Sequence, residues 1–164
     1  MIRAAAILHR QGHRFKIRLV GDGPLRDSLS ASIADAGLTE VISLPGPSRH
    51  MSEQYLAADA TVLSSVREGL PNVILEAGSH GLVTVATDVG GVRETMPPAN
   101  HRFLAPAGDH HALAEAMAEV MSMTSQERLS IGIAVREYVV SNYSTEVAAQ
   151  SWDAALARAL SAEF

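Results

Sequence analysis

The stretch "ATVLSSVREGLPNVILEAGSHGLVTVATDVGG" (residues 60–91) decides the fold. Its first six residues, 60–65, are apolar or small and predict a buried strand. Residues 82–87, "LVTVAT", are apolar and β-branched, which predicts a central strand covered on both faces. Between them, Pro71 suits the first turn of a helix, because the N–H it lacks would be unpaired there anyway. The helix is therefore expected to open near Pro71, with Gly69 and Leu70 in the loop before it and His80 near its end. A strand, a helix and a strand in this order predict two parallel strands joined by a helical crossover.

The alternation extends outward in both directions. Residues 15–20, "FKIRLV", alternate apolar and polar as a strand does, and "GDGP" follows at 21–24. In "LRDSLSASIADAG" (25–37), Leu25, Leu29, Ile33 and Ala36 share one helical face, and Gly37 is placed to end the helix. "EVISLPG" (40–46) predicts a short strand and "SRHMSEQYLAAD" (48–59) a short helix. "DVGGVRE" (88–94) is a glycine loop with a turn, and "HRFLAP" (101–106) a weak last strand. Asp109 is placed to cap "HHALAEAMAEVM" (110–121), and "TSQE" (124–127) is a capping box. A final amphipathic helix covers 144–160, with Trp152 expected to anchor it on the sheet. The chain opens on a helix pattern, residues 1–10, with no strand pattern before it. The predicted class is α/β: a Rossmann-like three-layer αβα sandwich with a parallel sheet, one domain over residues 1–164 that lacks its first strand.

Composition narrows the function. A chain of 164 residues buries enough surface to fold without disulfides or metals. The net charge of −5 and the 4% aromatic content argue against a nucleic-acid partner, which needs a basic face or a stacking platform. With no cysteine, thiolate metal sites and cysteine nucleophiles are excluded. The seven histidines show no HExxH-like spacing, and no G-x-S-x-G elbow is present. His110 and His111 are expected in a solvated first turn, and Met117, Met121 and Met123 in the core. No apolar run reaches the roughly 20 residues of a membrane span. The expected location is cytoplasmic, or peripheral to the inner membrane surface.

In parallel sheets, ligands sit where strands end and helices begin. Three glycine-bearing loops hold that position: "GDGP" after Val20, "SVREGLPN" after Ser64 and "DVGG" after Thr87. In the second, Glu68 precedes the helix and Glu76 lies on its second turn, with the N–H groups of the helix start between them. Acids and an anion site conflict on one group. They agree on a mixed ligand, with phosphate for the N–H groups and sugar hydroxyls for the acids.

The same stretch resembles the E-x7-E motif of retaining glycosyltransferases of the GT-B fold, family 4, the group 1 glycosyl transferases. "RLVGDGPLRDSL", "SVREGLPNVILEA", "VATDVGGVRE" and "PAGDHHALAEAM" match that family's segments in order and spacing, over most of the chain. The resemblance implies the C-terminal, donor-binding half of a GT-B fold. It implies that Glu76 holds the ribose hydroxyls, and that Glu68 is the catalytic-site acid beside the transferred sugar. Gly69, Leu70, Pro71 and Asn72 would face the donor's sugar and phosphates. Gly21 and Gly23 would border the diphosphate, and the loop of Gly46 and Pro47 would approach the base. Gly90, Gly91 and Glu94 would complete the pocket edge. The implied ligand is a UDP- or GDP-linked sugar, with no cofactor and no metal.

Some positions depart from the family pattern. Val83 stands where the family usually has proline, "PPANHRFLA" replaces a glycine-rich run, and Gly78 within a helix costs about 1 kcal/mol against alanine. Family members usually carry an Arg and a Lys, which neutralise the leaving diphosphate, just before the position where this chain starts. The resemblance also implies an N-terminal acceptor-binding domain that residues 1–164 do not include. These departures keep open a non-catalytic reading: a truncated or split-enzyme module that works beside a separate acceptor-domain chain or self-associates. A related sugar-nucleotide epimerase is a third, weaker reading.

Overall fold

The computed structural model describes residues 1–161. Strands and helices alternate up to β4, and three helices close the described residues: α1 (Ile2–Arg10), β1 (Ile17–Val20), α2 (Arg26–Asp35), β2 (Ile42–Gly46), α3 (Met51–Leu56), β3 (Ala60–Leu63), α4 (Asn72–Ser79), β4 (Val83–Thr87), β5 (Leu104–Ala105), α5 (His110–Ser122), α6 (Ser125–Tyr143) and α7 (Thr145–Ser161). Two 3₁₀ turns, Gly90–Thr95 and Pro98–Phe103, fill the passage from β4 to β5. Every strand pairing is parallel.

All five residues of β4 are buried, as a β-branched run in a central strand requires. It pairs with β3 from Ala60↔Val83 to Leu63↔Ala86 and with β5 at Ala86↔Leu104. The core around it joins Val83 and Val85 to Leu8, Phe103, Leu113 and Met117. A second cluster, Ala5, Ile33, Leu38 and Ile42, lies under β1 and β2. The expected single sheet is split, however. β1 pairs with β2, β3–β4–β5 form a separate sheet, and β1 and β3 are not bonded to each other. A cleft of about 1520 Å3 reaches both of these edges.

Close contacts fix α4 and the turn after it on α6. A side chain at Gly78 would put its Cβ 2.8 Å from Val139, and one at Gly132 would lie 2.0 Å from the Gly81 carbonyl. The propensity cost of Gly78 is thus offset by a packing that alanine would obstruct. Both predicted caps form. Asp109 accepts from the N–H groups of His111 and Ala112, and Thr124 and Glu127 make the reciprocal capping box.

Two packing expectations fail. Leu25 is 65% exposed, because it precedes the first helical residue of α2 and so leaves the helical face. Trp152 is 69% exposed and α7 buries no residue, so α7 is not anchored on the sheet. The 3.6-residue period reports that a helix is amphipathic; what covers its apolar side is a separate matter.

Candidate functional site

The strand ends bring the candidate loops together in two pairs. At β1 and β2, the Gly21 N–H donates to the Gly46 carbonyl over 2.9 Å, and both glycines have positive φ, +137° and +88°. Gly23 lies two residues on, in open space, with its N–H bonded to the Asp22 carboxylate. Pro47 is exposed at the end of β2.

At β3 and β4, the loop of Glu68 and Gly69 meets the turn of Gly90 and Gly91. The Gly91 N–H donates to the Gly69 carbonyl over 2.9 Å. A Cβ at Gly90 would lie 1.8 Å from the Glu68 carbonyl oxygen, and one at Gly91 2.4 Å from that of Gly69. These two glycines have an intramolecular reason: no side chain fits between the two loops. Glu94, in the same turn, is held by its carbonyl, which accepts from Tyr138 at 2.9 Å and Tyr143 at 2.6 Å. Its side chain is exposed.

Pro71 falls one place earlier than expected. It is the N-cap of α4, with φ −78° and ψ 92°, and the helix proper starts at Asn72. No side chain caps this terminus. The Ile74 N–H donates to the Pro71 carbonyl, which leaves the N–H groups of Asn72 and Val73 as the donors ahead of the helix. Leu70 beside them is half exposed.

Each candidate acid is held by a hydroxyl. Ser65, two residues past β3, donates to Glu68 Oε1 over 2.6 Å, and the Ser65 carbonyl accepts from Thr87 over 2.5 Å. Tyr55, from α3, donates to Glu76 Oε2 over 2.9 Å. The Tyr55 ring is buried and packs beside the His80 imidazole at 5.2 Å. Burial first, and then the hydrogen bond to Glu76, push the phenol well above its ordinary pKa, so it stays a donor at every working pH. Glu76 itself is exposed. A carboxylate held at one oxygen keeps the other for a ligand.

Sequence reasoning missed Tyr55 and Ser65. Ser65 could have been found, since it lies three residues before Glu68. Tyr55 lies 21 residues from Glu76 on another helix and belongs to no motif. The large cleft between the sheets touches Gly21, Gly23 and Val73 but none of Glu68, Glu76, Gly90 or Gly91. Among the described residues, no three His, Asp or Glu side chains gather as a metal site would need.

A parallel α/β domain with its glycine loops and an uncapped helix start at the strand ends has a Rossmann-like fold. This chain belongs to the glycosyl transferases group 1 family, whose profile matches residues 1–123. It is 38% identical over 109 residues to the exopolysaccharide phosphotransferase SCO2592 of Streptomyces coelicolor, covering 65% of this chain and 12% of that one. It is 29% identical over 154 residues to the putative colanic acid biosynthesis glycosyltransferase WcaL of Escherichia coli, covering 89% and 38%. The chain thus spans well under half the length of these curated relatives.

Solved structures share the fold. Sucrose-phosphate synthase from Thermosynechococcus elongatus superposes with a TM-score of 0.84 at 23% identity, over 99% of this chain and 43% of that one. Anabaena Alr3699/HepE, solved with UDP and glucose, gives 0.82 at 21% over 96% and 44%. The C-terminal domain of the group 1 protein LpcC from Francisella tularensis gives 0.71 at 22%, over 88% and 77%. The architecture is that of one half of a GT-B glycosyltransferase. Among the described residues, no helix is long and apolar enough to cross a membrane.

Proposed function

We propose that this chain is the nucleotide-sugar-binding half of a retaining glycosyltransferase. The observation that carries the reading is the pairing of an uncapped α4 N-terminus with Glu76 one turn inside it, fixed by Tyr55. The N–H groups of Asn72 and Val73 suit a phosphate or sugar oxygen. Glu76 suits a pair of ribose hydroxyls, accepting at its free oxygen. Glu68, fixed by Ser65 in the loop ahead of the helix, suits the transferred sugar. Gly21 and Gly23, whose N–H groups are already bonded, leave open space for the diphosphate, and the Gly46–Pro47 corner leaves it for the base. The UDP and glucose held by the Anabaena neighbour support a uridine donor, with GDP-linked sugars as the other candidate.

Calorimetry with UDP-glucose and GDP-mannose tests this. At least one should bind, and Glu76→Ala should weaken it about tenfold or more, the loss expected for a charge-assisted bond. Absence of binding by either, or equal binding by the variant, would refute the reading.

A second reading is a non-catalytic or split-enzyme module. It is favoured by the cations near the glycine loop. Arg26 donates to the Leu44 carbonyl over 2.7 Å and Arg18 to Gln54, so both serve the scaffold. A leaving diphosphate needs a cation free to stabilise it. Sugar transfer by this chain alone to any acceptor would overturn this reading. Transfer only when an acceptor-domain chain is added would support it.

A further inference from the structure

Helix α6 carries apolar side chains on two opposite sides. Its inner side sets Val135 and Val139 against Gly78 of α4. Its outer side exposes Leu129, Ile133 and Val140, at 56%, 53% and 53%. With Arg136, these residues follow the four, three, four spacing of one seam along a helix. A single exposed apolar residue is ordinary, but a row at seam spacing is the pattern of helix pairing. The contacts at Gly78 and Gly132 hold α6 in place, so the seam is a fixed surface. In this it differs from α7, which buries no residue.

Two charges lie on the same side. Arg136 sits in the seam and Glu137 on its flank, both exposed. Among the described residues, neither forms an ion pair. As neighbours in sequence on a helix they do not face each other. A second copy of the seam supplies the missing partner for each.

Direction follows from the same residues. A parallel pair would set Arg136 against the partner's Arg136, with like charges meeting in the seam. In an antiparallel pair about a two-fold axis through the middle of α6, Leu129 lies opposite the partner's Val140. The two residues are equally far from that middle, so the contact occurs twice. The partner's Arg136 then lays its methylene stem over Ile133. Its guanidinium reaches Glu137, which stands about one turn beyond Ile133 on the same side of the helix.

We propose that the outer side of α6 is the interface of an antiparallel, two-fold dimer of this chain. Two helices pressed together bury a small interface, so the dimer forms reversibly, with a Kd on the order of 10–100 µM. The proposal is independent of the nucleotide reading, because no residue of the seam belongs to the glycine loops or to α4.

Sedimentation equilibrium of the chain from about 1 µM to about 1 mM tests it. The mass should rise from that of one chain toward that of two. Ile133→Glu should weaken the dimer about tenfold or more, with unchanged circular dichroism, because the side chain lies outside the core. Val140→Lys is the second variant, should the first unfold. Arg136→Glu should weaken association several-fold, and adding Glu137→Arg should restore it. The absence of native cysteine gives a readout of direction. Leu129→Cys and Val140→Cys chains, mixed, should be joined to each other by a short bis-maleimide faster than either is joined to itself. A monomer at every concentration would overturn the proposal, as would a dimer indifferent to both Ile133→Glu and Val140→Lys. A dimer dissolved instead by Leu156→Gln would assign association to α7 and overturn it too. Failure of the charge swap to rescue, or faster joining of like chains, would overturn the antiparallel pairing.

Discussion

Helices α4 and α5 both begin just after a strand of the same sheet, yet their first turns are built differently. α5 starts at Asp109, whose carboxylate already accepts from His111 and Ala112. α4 starts at Pro71, which offers no side-chain acceptor and no N–H. One terminus satisfies its own donors and carries a negative charge, so it repels an anion. The other leaves its donors to whatever arrives. The difference separates a helix start that serves stability from one suited to a ligand. The glycines repeat the contrast: Gly90 and Gly91 are needed for contact between loops, whereas Gly21 and Gly23 face open space.

The largest expected effect comes from closing the loop contact beside α4. Gly90→Ala drives a Cβ into the Glu68 carbonyl at a residue with φ +50°. It should cost about 2 kcal/mol or more, seen as an earlier midpoint in urea. An unchanged midpoint would mean that the loops of β3 and β4 are not pressed together.

Next in size is removal of a donor from α4 without disturbing the helix. Asn72→Pro places proline at the first helical position, where it is tolerated, and deletes one of the two N–H groups proposed to meet the ligand. Nucleotide affinity should fall about tenfold with little change in melting temperature. Asn72→Ala, which keeps the N–H, separates the backbone from the side chain. Equal affinity in Asn72→Pro would erase the distinction between α4 and α5.

The β-α-β unit of residues 60–87 was legible because three local signals agree: two apolar runs and a proline between them. The caps at Asp109 and Thr124 were legible for the same reason, since a cap is decided within four residues. The candidate acids were legible by their spacing around a helix start. Strand pairing was not, because β1 and β3 are 40 residues apart and no local pattern states which edges meet. Tyr55 was hidden likewise. Its role depends on α3 lying beside α4, a fact of tertiary packing. Trp152 failed in the other direction, since an apolar side chain on a helix does not name its cover.

Tyr55→Phe sharpens the comparison by loosening Glu76 while leaving both helix starts intact. The ring stays in its buried place beside His80, and only the hydroxyl is lost. Affinity should fall about threefold, less than the loss from Glu76→Ala, because the lost bond only positions the carboxylate that would meet the ligand. In Glu76→Ala the Tyr55 change should add nothing, because the two act through one bond. Additive losses would show that Tyr55 touches the ligand by another route.

The smallest effect lies on α5 and is read as a pH dependence. The N–H of Ala112, then that of His111, hold the Asp109 carboxyl below its ordinary pKa in the folded chain. A carboxyl depressed on folding adds stability above its unfolded value, and that stability fades as the pH drops through the folded value. Asp109→Asn keeps an acceptor at the cap but has no proton to take up. Its melting temperature should therefore fall less steeply than the parent's below about pH 4. Its nucleotide affinity should match the parent's at neutral pH. Should Asp109→Asn alter that affinity, α5 would join α4 as part of the site, and the contrast between a sealed and an open helix start would fail.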